Sequence, residues 1–225
     1  MSITRIPRYG GIVNAFLVAE NDGLTLVDTT MGGNGAANAI LKVAETLGQP
    51  IVRIALTHAH QDHIGGLDAL AGRLPGIEVA ISARDAKLLA KDMTPEPGEP
   101  PDAKLRGGFT GAKTTPTRLL SPGDRVGSLE VVVAPGHTPG HVAFLDTRDR
   151  TLIAGDAYST LGGVATTAKV NPLFPLPAFA TWHRPTALET ARALRALDPA
   201  RLAVGHGRSV DAPGAKMDAA IARAG

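Results

Sequence analysis

Thr57-His58-Ala59-His60-Gln61-Asp62-His63 is the stretch on which the fold turns. Four candidate metal ligands, His58, His60, Asp62 and His63, lie within it, directly after the apolar run at residues 51–56, which only Arg53 interrupts. A continuous apolar run of that kind reads as a strand covered on both faces. Side chains alternate along extended chain, so His58 and His60 point the same way. A turn into a helix after them swings Asp62 and His63 to a neighbouring position. One stretch can then serve two adjacent metals.

Working outward, three more strand ends repeat the pattern. Pro135-Gly136-His137-Thr138-Pro139-Gly140-His141 follows an apolar strand at 129–133. Gly155-Asp156 follows a strand at 151–154, and Gly205-His206-Gly207 follows one at 201–204. Each candidate ligand therefore sits just past the C-terminal end of an expected strand, where sites in α/β sheets form. Neighbouring glycines let the backbone turn tightly. His141 reads as a residue that supports the ligands from behind or starts the next strand. His183, outside these motifs, reads as a solvated loop residue.

The rest of the chain fits an α/β protein. Strands are expected at 12–19 and 24–28, then a helix from an Asn34 cap to a Gly48 stop, with Ile40, Val43, Ala44 and Leu47 as its buried stripe. Further elements are a helix at 64–74, a strand at 77–81, a helix to about residue 90, and strands at 128–134 and 141–145. Thr186 and Glu189 have capping-box spacing for a helix to Leu197, with Leu188, Ala191 and Leu194 inward. A short helix closes the chain. Residues 92–118 and 159–182 read as long loops, which in compact domains are functional or disordered. The second carries Phe174, Phe179 and Trp182, read as a lining for an apolar substrate site, with core packing or a contact between copies as the other reading. Helices outside two mixed sheets packed face to face give a four-layer αββα sandwich, expected as one domain over residues 1–225.

Composition narrows the function. The chain has 225 residues, 44% of them hydrophobic and 4% aromatic, and a net charge of +2 without a basic run, so charge gives nucleic-acid binding no support. It has no cysteine, which removes disulfides, thiolate metal sites and cysteine nucleophiles. No Gly-x-Ser-x-Gly elbow occurs. No apolar window is long enough for a membrane span, and the first residues lack a signal-peptide layout, so a cytoplasmic protein without a membrane partner is expected.

His58-x-His60-x-Asp62-His63, followed in order by His137, Asp156 and His206, resembles the signature of the metallo-β-lactamase superfamily. The resemblance covers nearly the whole chain. It implies the αββα sandwich, with the site along one edge of the sheets. It implies His58, His60 and His137 on one metal, and Asp62, His63 and His206 on a second, with Asp156 bridging both. Asp28 matches an acidic position of the family that supports the site from behind. Imidazole and carboxylate donors without sulfur suit Zn2+, two per chain, although iron or manganese also accept that set. The family's di-iron electron-transfer branch has Glu where His60 stands.

The activity so implied is that of a dinuclear-metal hydrolase acting on a small molecule. A metal-bridging hydroxide would cleave a carboxylic ester, lactone or thioester, with Asp62 as both ligand and proton acceptor. Tyr158 is two residues past Asp156; lactonases of the superfamily carry a Tyr three residues past, so Tyr158 is read either as a donor to the oxyanion or as packing. Glyoxalase II is similar at residues 57–63 but adds a helical C-terminal domain, whereas only residues 208–225 follow Gly207 here. The alternative is a persulfide-dioxygenase-like oxidoreductase with a single iron on His58, His137 and Asp156.

Overall fold

The computed structural model describes residues 3–225; Met1 and Ser2, the first two residues of the expected domain, lie outside the described residues. The first half of the chain runs β1 (Ile3–Arg8), a 3-10 turn (Tyr9–Gly11), β2 (Val13–Glu20), β3 (Gly23–Val27), α1 (Asn34–Leu47), β4 (Ile51–Ala55), α2 (Gln61–Ile64), α3 (Leu67–Arg73), β5 (Glu78–Ser82) and α4 (Ala83–Leu89). After a long loop come β6 (Arg118–Leu120), β7 (Arg125–Val126), β8 (Leu129–Val133), β9 (Val142–Asp146) and β10 (Thr151–Ile153). The chain finishes with β11 (Tyr158–Ser159), β12 (Ala165–Thr166), α5 (Leu176–Phe179), α6 (Arg184–Ala196), β13 (Arg201–Ala203), β14 (Val210–Asp211) and α7 (Gly214–Ala224).

The strands form two six-stranded sheets, ordered β1-β2-β3-β4-β5-β6 and β14-β13-β10-β9-β8-β7. In the first, β1 to β3 are antiparallel and β3 to β6 parallel. In the second, only β10 and β13 run parallel. Both sheets are therefore mixed.

The period-2 alternation of the strands sorts their side chains into separate cores. On β2, Phe16 and Val18 face the core between the sheets, while Ala15 and Leu17 face a core under the helices. On β9, Val142 and Phe144 face the central core, and Ala143 and Leu145 face the other way. The central core joins Val27, Ala55 and Ala80 of the first sheet to Leu129, Val131, Ile153 and Ala203 of the second. The first outer core holds Ala37 and Ile40 of α1, Leu67 and Leu70 of α3, and Leu88 of α4. The second holds Ala191 and Leu194 of α6 and Met217 and Ala220 of α7. Helix, sheet, sheet, helix is the expected four-layer sandwich.

Several local expectations shift. β1 and β6, absent from the sequence reading, form the two edges of the first sheet. The helix at 64–74 splits into α2 and α3, with Gly65 and Gly66 between them. α1 buries Ala36, Ala37, Ile40 and Ala44 with Val43 packed against the same core, whereas Leu47 is exposed, so the inward stripe starts one turn earlier than expected and stops before Leu47. α6 is capped by His183, whose Nδ1 accepts from Thr186 N at 3.4 Å, so the Thr186–Glu189 capping box does not form and His183 is no idle loop residue. The loop at 159–182 contains β12 and α5. No helix among the described residues is long and apolar enough to cross a membrane.

Phe144 is fully buried between the sheets. Phe144→Ala is expected to lower the unfolding free energy by about 3–5 kcal/mol, read from urea denaturation. A loss under about 1 kcal/mol would mean that the two sheets do not share this core.

Candidate metal centre

The topology brings the candidate ligands to one edge of the sandwich. His58, His60, Asp62 and His63 follow β4, His137 follows β8, Asp156 follows β10, and His206 follows β13. The five histidines and Asp156 are buried, while the Asp62 side chain is 33% exposed. Three groups of donor atoms lie within 4.8 Å of one another: His58, His60 and His137; His58, His63 and Asp156; and Asp62, His63 and His206.

Each imidazole is oriented from behind by one hydrogen bond. His60 Nε2–H donates to the Arg106 carbonyl at 2.8 Å, which leaves the Nδ1 lone pair facing inward. His206 Nδ1–H donates to the Ile12 carbonyl, and His63 Nδ1–H to Asp28 Oδ2 at 2.8 Å. Thr181 gives its hydroxyl proton to carbonyl oxygens, so its oxygen accepts from His137 Nδ1–H at 3.2 Å. Thr57 likewise donates to Asp28 Oδ2 at 2.8 Å and accepts from His58 Nδ1–H at 3.0 Å. Five backing hydrogen bonds leave the other nitrogen of each ring facing the cluster, which is how metal-binding histidines are oriented.

Inside the cluster the polar atoms lack protein partners or face one another. Among the described residues, His58 Nε2, His63 Nε2 and Asp156 Oδ1 are buried without a hydrogen bond. His60 Nδ1 and His137 Nε2, both lone-pair atoms, stand 2.9 Å apart. Such a pair repels unless a cation lies between. Asp156 reaches both sides, with Oδ1 at 3.3 Å from His63 Nε2 and Oδ2 at 3.4 Å from His137 Nε2 and 2.9 Å from His206 Nε2. Asp62 Oδ2 lies 3.4 Å from His206 Nε2 and 3.8 Å from His63 Nε2. An all-nitrogen-and-oxygen donor set with orphaned inward atoms fits a divalent metal site.

Electrostatics divides the cluster. Burial and the neighbouring histidines hold His58 well below the usual histidine pKa, so it is neutral. Burial also holds His60 and His137 down, against the pull of the aspartates. Burial opposes charge on His63 as well, but Asp156, Asp28 and Asp62 outweigh it and raise its pKa well above the usual value. His206 is raised in the same way, chiefly by Asp156. Burial disfavours the Asp156 carboxylate, but His206 and His63 keep its pKa well below the ordinary range.

The supporting residues are only partly those expected. Asp28 accepts from Thr57 N at 2.8 Å as well as from Thr57 Oγ1 and His63, so it pins both ends of the 57–63 stretch. His141 accepts the Asp156 backbone N–H on Nε2 at 3.0 Å, and burial pushes its pKa down to about 3, so it stays neutral. Asp85 was not singled out by the sequence. Its buried carboxylate accepts from Ala59 N and Thr138 Oγ1, both at 2.8 Å, and from Gly140 N at 2.9 Å, tying the His58–His60 loop to the His137 loop. By sequence it is merely the third residue after the Ser82 cap of α4.

The aromatic assignments also change. Tyr158 is fully buried in the second outer core, and its hydroxyl donates to Ala191 O of α6 at 2.7 Å. That bond occupies the group expected to serve an oxyanion, so the packing reading is the one the structure supports. Trp182 is buried as well, its backbone N–H on the His137 carbonyl at 2.9 Å. Phe179 is 55% exposed on α5. Phe174 alone of the three meets a ligand, with its ring 5.3 Å from that of His206. Phe109, which the sequence did not mark, lies 4.6 Å from the His60 ring. Its loop is pressed close: a Cβ on Gly107 would sit 2.6 Å from His60 Nε2, and the glycine has φ +91°.

Two tests follow from these contacts. Asp85→Ala leaves two backbone N–H groups and a hydroxyl buried without an acceptor. It is expected to lower stability by about 1–3 kcal/mol per stranded group and to weaken metal binding, measured by thermal melting and chelator competition. Unchanged metal affinity would remove Asp85 from the support of the site. In the metal-free protein, protonated His63 and His206 add stability that is full below the unfolded histidine pKa of about 6.5 and is lost as pH rises through their raised folded values. A metal must displace those protons, so its affinity is expected to climb with pH through and above neutrality, with proton release detectable by calorimetry in two buffers. A pH-independent affinity would contradict this charge assignment.

Known proteins resemble this chain in sequence and fold. The chain is 43% identical over 213 residues to the uncharacterized protein YobT of Bacillus subtilis, covering 94% of this chain and 90% of that protein. It is 30% identical to a hydroxyacylglutathione hydrolase of Xanthomonas campestris, over 72% of this chain but only 52% of that enzyme. Among solved structures, the BLEG-1 B3 metallo-beta-lactamase superposes with a TM-score of 0.70 at 22% identity, covering 96% of each chain. TTHA1623 in a di-iron-bound form superposes with a TM-score of 0.67 at 24% identity, covering 94% of this chain and 96% of that one. At those identities the two structures speak for the fold alone. The sequence model of the metallo-beta-lactamase superfamily matches residues 8–206, a span that runs through every candidate ligand, and the chain belongs to that superfamily.

Proposed function

We propose that this protein hydrolyses a carboxylic ester bond, with a thioester favoured over an oxygen ester or lactone, using two metal ions, of which zinc suits the donors best. The observation that carries the reading is the position of Asp156, whose Oδ2 lies 3.4 Å from His137 Nε2 of the first ligand group and whose Oδ2 and Oδ1 lie 2.9 and 3.3 Å from His206 Nε2 and His63 Nε2 of the second. One carboxylate shared between two groups of imidazoles is the arrangement that a metal pair needs. The likeness to hydroxyacylglutathione hydrolases supports a thioester. Metal ions bound there would polarise a substrate carbonyl and lower the pKa of a shared water.

The chain's own residues supply the rest. Asp62 is the most open of the candidate ligands, so its carboxylate can take a proton from the attacking water and pass it to the leaving group. The backing hydrogen bonds hold all five imidazoles in orientation before substrate arrives, so little reorganisation is needed. Phe109 beside His60 and Phe174 beside His206 give the site two apolar flanks that exclude water and receive an apolar acyl or thiol portion. Tyr158 has no part in this chemistry.

Metal analysis combined with a panel of thioesters, lactones and aryl esters tests the proposal. Two metals per chain and thioester turnover are expected. His60→Ala should reduce kcat/KM by at least about a hundredfold, whereas Tyr158→Phe should leave kcat unchanged and cost about 1 kcal/mol of stability. One iron per chain with no hydrolysis of any substrate would replace this reading by the mononuclear-iron oxidoreductase. That alternative uses only His58, His137 and Asp156 and leaves His63, Asp62 and His206 without a task.

A further inference from the structure

A cavity of about 480 Å3 is lined by none of the candidate ligands, but its wall includes Trp182, which is bonded through its backbone to His137. Its apolar wall includes Met93, Leu105 and Trp182, and Pro95, Pro100 and Pro101 stiffen one side. Its charged residues are Arg84, Lys104 and Glu99, two cations to one carboxylate.

Arg84 makes the cavity unusual. It is only 8% exposed, a rare state for an arginine. Nε donates to Glu99 Oε1 at 2.5 Å, but among the described residues Nη1 and Nη2 are buried without any hydrogen-bond partner. The adjacent Asp85 makes no hydrogen bond to them; its carboxylate accepts from Ala59, Thr138 and Gly140. Orphaned guanidinium donors are costly to bury, and the free Nη1/Nη2 edge is the one that grips a carboxylate with two parallel bonds. Reaching that edge requires the wall to give. Residues 92–96 carry no regular secondary structure, and the flexible Met93 lies in the wall.

We propose that this cavity is a binding site, separate from the metal centre, for a small monocarboxylate with an apolar body. The carboxylate pairs with Nη1 and Nη2 of Arg84, Lys104 adds a second positive charge, and the apolar body packs on Trp182, Leu105 and Met93. A volume of this size accommodates a small organic acid. The site also adjoins the backbone that holds two candidate ligands. Lys104 N–H donates to the Trp182 carbonyl at 3.2 Å, Trp182 N–H donates to the His137 carbonyl at 2.9 Å, and the Arg106 carbonyl holds His60.

Trp182 is the sole tryptophan of the chain, so intrinsic fluorescence reads this cavity directly. The whole protein, both metal-loaded and chelator-stripped, is titrated with hexanoate, phenylacetate and the neutral hexanamide. Saturable emission changes with the two carboxylates are expected, at similar affinity with and without metal, and none at the same concentrations with hexanamide. Arg84→Met should weaken carboxylate binding at least about tenfold, and Lys104→Met, an exposed position, by a smaller factor. Circular dichroism checks that both variants fold, and the hexanoate–hexanamide comparison stands without them. A response that disappears with the metal places the carboxylate at the metal centre and overturns the proposal. Equal responses to acid and amide, or no saturable response, overturn it as well.

Discussion

Five imidazoles and two carboxylates packed into one edge of a protein are stable only if every donor is satisfied from outside and every lone pair has a cation to face. That constraint organises the structure. The outward N–H groups of His58, His60, His63, His137 and His206 find Thr57, Arg106, Asp28, Thr181 and Ile12, which come from five separate segments. Moving any one of these segments by an ångström or two would free a ring to rotate. The inward atoms repel or go unsatisfied until positive charge arrives, so in such a site the free energy of metal binding contributes to folding.

The sandwich supplies the rigidity this requires. β4, β8, β10 and β13 all end at the same edge, and the core shared between the sheets fixes the distance between the ligands of the first half and those of the second. Two buried aspartates brace the site, one within the first half and one across the two halves. Asp28 joins the end of β3 to Thr57 and His63. Asp85 spans from the first half to Thr138 and Gly140 of the second, and its burial raises its pKa to about 6, the mark of a carboxylate held in place against its own solvation. The loop around Gly107 and Phe109 then closes over His60, so the same contact that selects the tautomer also shapes the approach to the site.

The sequence was most legible where chemistry is concentrated in few residues. Strand-end motifs with His, Asp and Gly place the candidate ligands without any structural input, because ligand types and spacing are local properties. Strand alternation and the run at residues 51–56 likewise assign the layers. Errors arise where long-range contacts override a local pattern. The edge strands β1 and β6 gain their register only from β2 and β5. The cap of α6 passes from Thr186 to His183, where the chain enters the helix from the Trp182–His137 contact.

The sequence alone determined which side chains are candidate metal ligands, in what order they appear, and that they stand at strand ends; these follow from residue type and the periodicity of the backbone. Only the tertiary structure decided which aromatics touch the site and which residues brace it. Tyr158, two positions from Asp156, points into a core and bonds Ala191, whereas Phe109, 49 positions from His60, lies against its ring. The direction of a side chain at a loop is set by what packs on the far side of it, and that information is spread over the whole chain rather than written beside the residue.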